Sequence, residues 1–292
     1  MRIAITGANA GIGLRAATLL AAEGHQVLAL CRDPERAGAA FASLPREDRS
    51  RIETITLDLA SSASIRTAAQ SIVAGGALDA LINNAAVFDQ SVRTARMTPD
   101  GHELFWATNH LGPSELTARV SSALAAGETP RVLFVASKGL VTMPRIAIRF
   151  DALDEADWFT PTAAYYHAKL AQVMTAVSLA ERAGDAVDVS CLRVPAVRLD
   201  PDRLARQPAV LRVLYAPKNR LAAQPEAIAA IYRNLATRPP LHARAGDVYL
   251  DEKVRIVPLP RFARDPAHRE RLWNVTAAAT GNPRWAWPTE NP

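Results

Sequence analysis

The sequence predicts an α/β fold: a doubly wound, seven-stranded parallel sheet with helices on both faces. Three observations predict it. Short apolar, β-branched runs alternate with Ala- and Leu-rich helical stretches, and parallel strands require such crossover helices. The first strand leads directly into a glycine-rich turn and a helix. The chain has 292 residues, 49% of them hydrophobic, which is enough apolar material for one large core and too much for a disordered segment.

Taken in order, the predicted strands are Arg2–Thr6, Gln26–Cys31, Ile52–Leu57, Leu78–Asn83, Arg131–Ser137, Val187–Val194 and Asp247–Asp251. The predicted helices include Gly11–Glu23, Pro34–Leu44, Ser61–Ala74, Leu111–Ala125, Ala163–Arg182 and Pro225–Thr237. Two long connections interrupt the rhythm, at residues 138–162 and 195–224. Both leave strands at their carboxyl ends, where ligands of open α/β sheets sit, so they are expected to wall and cover a site. One domain is expected over residues 1–280, with the lid at about 195–224 and a loose tail at 281–292, whose Trp285 and Trp287 offer rings to pack on the body.

Composition excludes several classes. The two cysteines, Cys31 and Cys191, have no metal-type spacing and cannot form a disulfide scaffold, so buried thiols in a reducing compartment are expected. No apolar run reaches membrane-spanning length and no signal-peptide start is present, which gives a cytoplasmic expectation. Lys plus Arg number 34 against 29 acids, a net charge of +5, yet no nucleic-acid-binding module accompanies the charge. Between residues 203 and 220 stand Arg203, Arg206, Arg212, Lys218 and Arg220 without an acid. The plain reading is a solvated basic face. The sharper one is a lid that receives an anionic or carrier-bound substrate, or rests on an anionic surface.

Gly7, Asn9, Gly11, Ile12 and Gly13 form the turn after the first strand. Glycines there let the backbone approach a pyrophosphate that the helix N-terminus stabilises, so a dinucleotide is expected. The second strand ends at Cys31-Arg32-Asp33. A carboxylate at its end would suit NAD(H); the guanidinium of Arg32 instead suits a 2′-phosphate, so NADP(H) is preferred over NAD(H). Asp33 reads as the N-cap of the helix that Pro34 begins.

Tyr165 and Lys169 stand four apart on one helix and share a face. An ammonium beside a phenol is expected to lower the phenol pKa and make it a usable proton donor or acceptor. With the glycine turn, these residues complete a resemblance to the short-chain dehydrogenases/reductases that runs through nearly the whole chain and implies a Rossmann fold. Asp58-Leu59 is similar to that family's adenine-contacting pair, and Asn83-Asn84-Ala85-Ala86 to its Asn-Asn-Ala-Gly, with Ala86 in place of Gly. Asn109 in Thr108-Asn109-His110-Leu111-Gly112 and Ser137 in Val135-Ala136-Ser137 also match.

Asp100-Gly101-His102-Glu103-Leu104 and Ala164-Tyr165-Tyr166-His167-Ala168-Lys169 narrow the resemblance to the retinol dehydrogenase and WW-domain oxidoreductase branch. It implies Tyr165 as general acid/base, Lys169 on the nicotinamide ribose, and Ser137 on the reacting oxygen. Asn109 would hold a water that links Lys169 to solvent. Asp58, Leu59, Asn84, Ala85, Ala86 and Pro195 would join the cofactor site, and the Leu111 and Ala163 helices would offer a homodimer face. Pro195-Ala196 departs from the family's Pro-Gly.

Competing readings have less support. A Ser-His-Asp hydrolase would need a Gly two residues before Ser137, where Val135 stands. His110 and His167 read as structural, His167 lying on another helix face from Tyr165. An idle dinucleotide-binding scaffold, or an epimerase or dehydratase of the same family, is the functional alternative. The intact set of Asn109, Ser137, Tyr165 and Lys169 favours a hydride-transfer enzyme acting on a ketone, an aldehyde or the matching alcohol of a hydrophobic small molecule.

Overall fold

The structure is a computed structural model that describes residues 1–153, 157–198, 222–239 and 247–287. Its strands are β1 (Arg2–Thr6), β2 (Gln26–Cys31), β3 (Ile52–Thr56), β4 (Ala80–Asn83), β5 (Arg131–Ser137), β6 (Asp188–Val194) and β7 (Tyr249–Leu250). They form one parallel sheet in the order β3-β2-β1-β4-β5-β6-β7, the Rossmann arrangement that the alternation predicts. The order reverses between β1 and β4, and the crevice at such a switch point is where ligands bind.

Alternation along each strand divides the core. Ile3, Ile5, Val27, Ala29, Ile82, Leu133 and Val135 face one helical layer, with α1 (Gly11–Ala22), α2 (Pro34–Phe41) and α9 (Pro225–Thr237). Ala4, Leu28, Leu30, Leu81, Val132, Phe134 and Ala136 face the other layer. That second layer holds α4 (Ser62–Ala74), α6 (Gly112–Arg119), α8 (Pro161–Ala183) and α10 (Pro266–Ala279). Burial on both faces explains why these strands read as continuous apolar runs.

Helix starts follow local chemistry. Asp33 caps α2 as expected, accepting a hydrogen bond from the Arg36 amide at 2.9 Å. Ser61 caps α4, and Thr160 caps α8 with Pro161 in its first turn. The expected Leu111–Ala125 helix is instead three pieces. A π-type turn at Ala107–Leu111 feeds α6, and Val120 (φ −96°, ψ 4°) separates it from α7 (Ser121–Ala125). Glu103 anchors the entry, its carboxylate accepting from the Phe105 and Trp106 amides to start α5 (Leu104–Trp106). The five-residue α3 (Arg46–Ser50) and the long α10 were not among the predicted helices.

The described part of the carboxyl-terminal tail is packed. Trp285 stacks on Trp273 with ring centroids 5.2 Å apart, the Ala286 amide donates to Ser121 Oγ at 2.9 Å, and Trp287 is buried. Four bodies of sequence therefore converge on the second layer: α6, α8, α10 and this tail. Among the described residues, no helix is long and apolar enough to cross a membrane.

Candidate active site

All strands being parallel, the residues after β1, β2, β3, β4, β5 and β6 emerge at one edge of the sheet. Gly7, Arg32, Asp58, Asn84, Ser137 and Pro195 stand at or just beyond those ends. Topology alone thus gathers residues separated by nearly two hundred positions.

The turn after β1 is built from backbone. Gly7 and Gly11 have φ of +69° and +56°, a region that side chains with a Cβ avoid. At Gly13 the reason is contact: a Cβ there would lie 2.4 Å from the Gly7 carbonyl oxygen and 2.6 Å from Asn84 Nδ2. Thr6 joins the turn to the end of β4, its hydroxyl accepting from the Ala85 amide at 2.9 Å while its carbonyl accepts from Asn84 Nδ2 at 2.9 Å. Tyr232 of α9 donates to Asn84 Oδ1 at 3.2 Å from behind. Asn9, Gly11 and Ile12 remain partly exposed at the crevice, beside Asn84, Ala85 and the exposed Ala86.

These residues fit a dinucleotide. The first turn of α1 has no acidic residue, and Ala10 at its N-cap supplies no capping side chain, so its amides point outward without a side-chain acceptor. At the end of β2, Arg32 is exposed, and Cys31 is buried and points its Sγ at the Ala29 and Asp33 carbonyls. Asp58 turns back on its own loop, accepting from the Ala60 amide at 2.9 Å, and Leu59 is buried.

The second part of the site is built from side chains. Ser137 Oγ, at the end of β5, accepts from the Gly139 amide at 3.2 Å, and a hydrogen bond from Ser137 reaches the Tyr165 phenol. Tyr165 is partly exposed, its ring against Phe88 (4.5 Å between centroids) and Tyr166 (5.2 Å). Lys169 is fully buried one turn later, donating to the Val135 carbonyl at 2.6 Å and to Gln172 Oε1 at 2.8 Å. Its Nζ lies 5.8 Å from the Tyr165 ring centre.

One expectation is corrected here. The Tyr165 phenol is held above, not below, its ordinary range. Burial raises it first and Tyr166 adds to this, while the Ser137 hydrogen bond pulls only partly the other way. The Lys169 ammonium does not offset burial because its hydrogen bonds go to Val135 and Gln172, and burial drives its own pKa down to about 7.

Asn109 also differs in detail. Its carboxamide is bonded at both ends to Val87, accepting from the amide at 2.7 Å and donating to the carbonyl at 2.9 Å. It therefore fixes the loop after β4, and with it the adjacent Phe88.

The described residues of the connection after β5, 138–153 and 157–162, are pinned by His167. Its Nε2 accepts from the Arg149 amide at 2.9 Å, and its ring lies between Trp106 and Trp158, each 4.9 Å away. Burial and Arg149 push its pKa down to about 4, so it is the neutral ring that holds this connection. His110 is likewise neutral and structural, bonded to Thr276 of α10 at 2.8 Å. The second long connection leaves and returns at one place, Ala223 donating to the Ala196 carbonyl and accepting from the Arg198 amide. Its basic stretch from Arg203 to Arg220 lies outside the described residues.

Phe88, Gln172, the hydrogen bonds of Thr6 to Asn84 and Ala85, and that of His167 to Arg149 escaped the sequence reading. Gln172 had a signal, since it lies three residues beyond Lys169 and so on the same helix face. Phe88 had none, because its contact with Tyr165 spans 77 positions.

A glycine-built crevice at the switch point, beside a buried Lys and a Tyr on one helix, defines a dinucleotide-binding α/β oxidoreductase. The family model for short chain dehydrogenase matches residues 1–148. Human retinol dehydrogenase 12 is 33% identical over 287 residues, covering 97% of this chain and 87% of its own, and human retinol dehydrogenase 13 is 31% identical, covering 96% and 84%. Among solved structures, an uncharacterized protein from Mycobacterium paratuberculosis superposes with a TM-score of 0.69 at 24% identity, over 100% of this chain and 94% of that one. The chain belongs to the short-chain dehydrogenase family, in its retinol dehydrogenase-like branch, and that family binds a nicotinamide dinucleotide.

Proposed function

We propose that the protein is an NADP(H)-dependent oxidoreductase that reduces a ketone or aldehyde of a hydrophobic small molecule, or oxidises the corresponding alcohol. The observation that carries this reading is the Tyr165 hydroxyl at the sheet edge, with Ser137 hydrogen-bonded to it and Lys169 buried beside its ring. When bound, the nicotinamide supplies or accepts the hydride. The chain's own work is to orient the substrate and move a proton.

In reduction, Ser137 donates to the substrate oxygen and Tyr165 delivers its proton there as charge develops. A raised phenol pKa keeps Tyr165 protonated at neutral pH, the form that a proton donor needs. Lys169 would hold the nicotinamide ribose with the N–H that Val135 and Gln172 leave over. Asn109, its side chain bound to Val87, would help to order a water that links Lys169 to solvent.

Gly7, Asn9, Gly11, Ile12 and Gly13 would cradle the pyrophosphate, while Asp58 and Leu59 would meet the adenine. Asn84, Ala85, Ala86 and Pro195 would border the nicotinamide end. Arg32, exposed and with no ion pair among the described residues, would take the 2′-phosphate and so select NADP(H).

Exposed apolar groups support a hydrophobic substrate. Phe88 is 47% exposed against Tyr165, and Val141, four residues after Ser137, is 61% exposed. The reading keeps a small-molecule substrate, anionic or carrier-bound if the basic lid contacts it, no nucleic-acid partner, and a cytoplasmic setting in which Cys31 and Cys191 stay as buried thiols. A homodimer through the Leu111 and Ala163 helices would find little free surface, since Gly112 to Ala118 are all buried and α10 lies along α8. Consumption of NADPH across a panel of carbonyl compounds, measured beside Tyr165→Phe, tests the proposal. Turnover that survives this substitution undiminished would refute it.

A further inference from the structure

Gln172 lies three residues beyond Lys169 on α8, inside the second core layer and only 1% exposed. Its Oε1 accepts from Lys169 Nζ at 2.8 Å, and its Nε2 has no hydrogen-bond partner. The ammonium's other acceptor is the Val135 carbonyl of β5, at 2.6 Å. The titratable groups that face it are the Tyr165 phenol from its own helix and the Cys191 thiol from β6. The one charged residue of β5, Arg131, stands at the start of the strand, bonded to Thr129 and Arg238, and among the described residues no carboxylate reaches the ammonium.

This arrangement is costly if it serves packing alone. A buried amide with an orphaned N–H group is worse for stability than an apolar side chain of the same volume. Leu or Met at position 172 would fill the space without that cost. Turning the carboxamide over would satisfy nothing, because it would aim an N–H group at the ammonium. What the glutamine supplies is one carbonyl oxygen, aimed at a cation in an otherwise apolar interior.

We propose that Gln172 is the positioning residue for Lys169: with the Val135 carbonyl it forms a two-acceptor seat that holds the ammonium charged and beside Tyr165. The inference rests on reading Lys169 as the partner of Tyr165 in the reaction. Burial already brings Lys169 down to about 7, so loss of one of two acceptors would deprive it of charge at neutral pH. A carboxylate in the same place would do the opposite.

The chain has four lysines, Lys138, Lys169, Lys218 and Lys253, which makes lysine-selective 13C labelling practical. The full-length, ligand-free protein is titrated by NMR, and Lys169→Met identifies the Lys169 resonance. Gln172→Met keeps the volume and removes the acceptor; the Lys169 midpoint should fall by about one pH unit. Gln172→Glu keeps the shape and adds charge; the midpoint should rise by about one pH unit or more. Opposite shifts from two variants of nearly equal size support the seat.

Midpoints that stay in place, or that move in the same direction, overturn it. If Gln172→Glu does not fold, Gln172→Met decides alone, and an unmoved midpoint there is enough to reject the proposal. Turnover bears on the separate reading of the chemistry. Opposed NMR shifts together with full activity in Lys169→Met would keep the seat and remove Lys169 from the reaction.

Discussion

The two ends of the crevice are built by different means. At the β1–α1 turn the working surface is main chain: two glycines with positive φ, a third in contact with a carbonyl, and helix amides without a side-chain cap. At the β5–α8 end it is side chain: Ser137 paired with Tyr165, and Lys169 with Gln172, the second pair fully buried and joined by a 2.8 Å hydrogen bond. The first kind of surface is broken by adding atoms and is nearly indifferent to pH. The second is broken by removing atoms, and pH reaches it directly. Two buried histidines beside it, His110 and His167, extend this contrast.

The largest effect that would sharpen the comparison is on stability in acid. His110 and His167 have folded pKa values of about 3 and about 4, below the ordinary 6.5. The unfolded chain therefore takes up protons that the folded chain refuses, and stability falls as pH drops through the unfolded pKa. By pH 5 the loss is about 2 kcal/mol for each histidine, since each pH unit below 6.5 is worth about 1.4 kcal/mol. Urea midpoints measured from pH 8 to 5 should show this decline, with the chain around Arg149 loosening as His167 ceases to accept from its amide. A flat profile over that range would mean that the two rings are not buried as neutral groups.

Next in size is Ser137→Ala, which deletes the hydroxyl at Tyr165 and at the proposed substrate oxygen. A roughly hundredfold fall in kcat is expected, as for loss of one preorganised donor, with little change in cofactor affinity. At the other end, Gly13→Ala adds a methyl 2.4 Å from the Gly7 carbonyl oxygen. The turn must shift, at about 1–3 kcal/mol, and dinucleotide affinity by fluorescence titration should fall while the Tyr165 environment is unchanged. If Gly13→Ala instead altered kcat with affinity intact, the two ends would not be separable.

The smallest effect separates the cofactors. Arg32→Ala should weaken NADPH binding by about tenfold, the scale of one charge-assisted contact, and leave NADH binding nearly unchanged. Equal weakening of both would show that Arg32 does not read the phosphate.

Legibility followed the same division. The seven strands, the Asp33 cap and the glycine turn were readable because each depends on local sequence: alternation, N-cap chemistry and φ. The side-chain end was legible as a list of residues but not as electrostatics. Four-residue spacing predicted that Lys169 would lower the Tyr165 phenol, yet spacing carries no information about competing acceptors or burial, and both reversed the sign. Asn109 was recognised, while its commitment to Val87 required the fold. The Leu111–Ala125 helix read as continuous because its breaks, a π-type turn and Val120, interrupt neither the apolar pattern nor the propensities.

By itself, then, the sequence determined the α/β class, the order of elements and the chemical identity of the site residues, because periodicity, capping and glycine conformation act over a few residues. Only the tertiary structure decided what those residues experience. It set Phe88 against Tyr165, gave the Lys169 ammonium to Val135 and Gln172, and made His167 a neutral strut. Those outcomes depend on which distant groups share a low-dielectric interior, and that is a property of packing that no short stretch of chain contains.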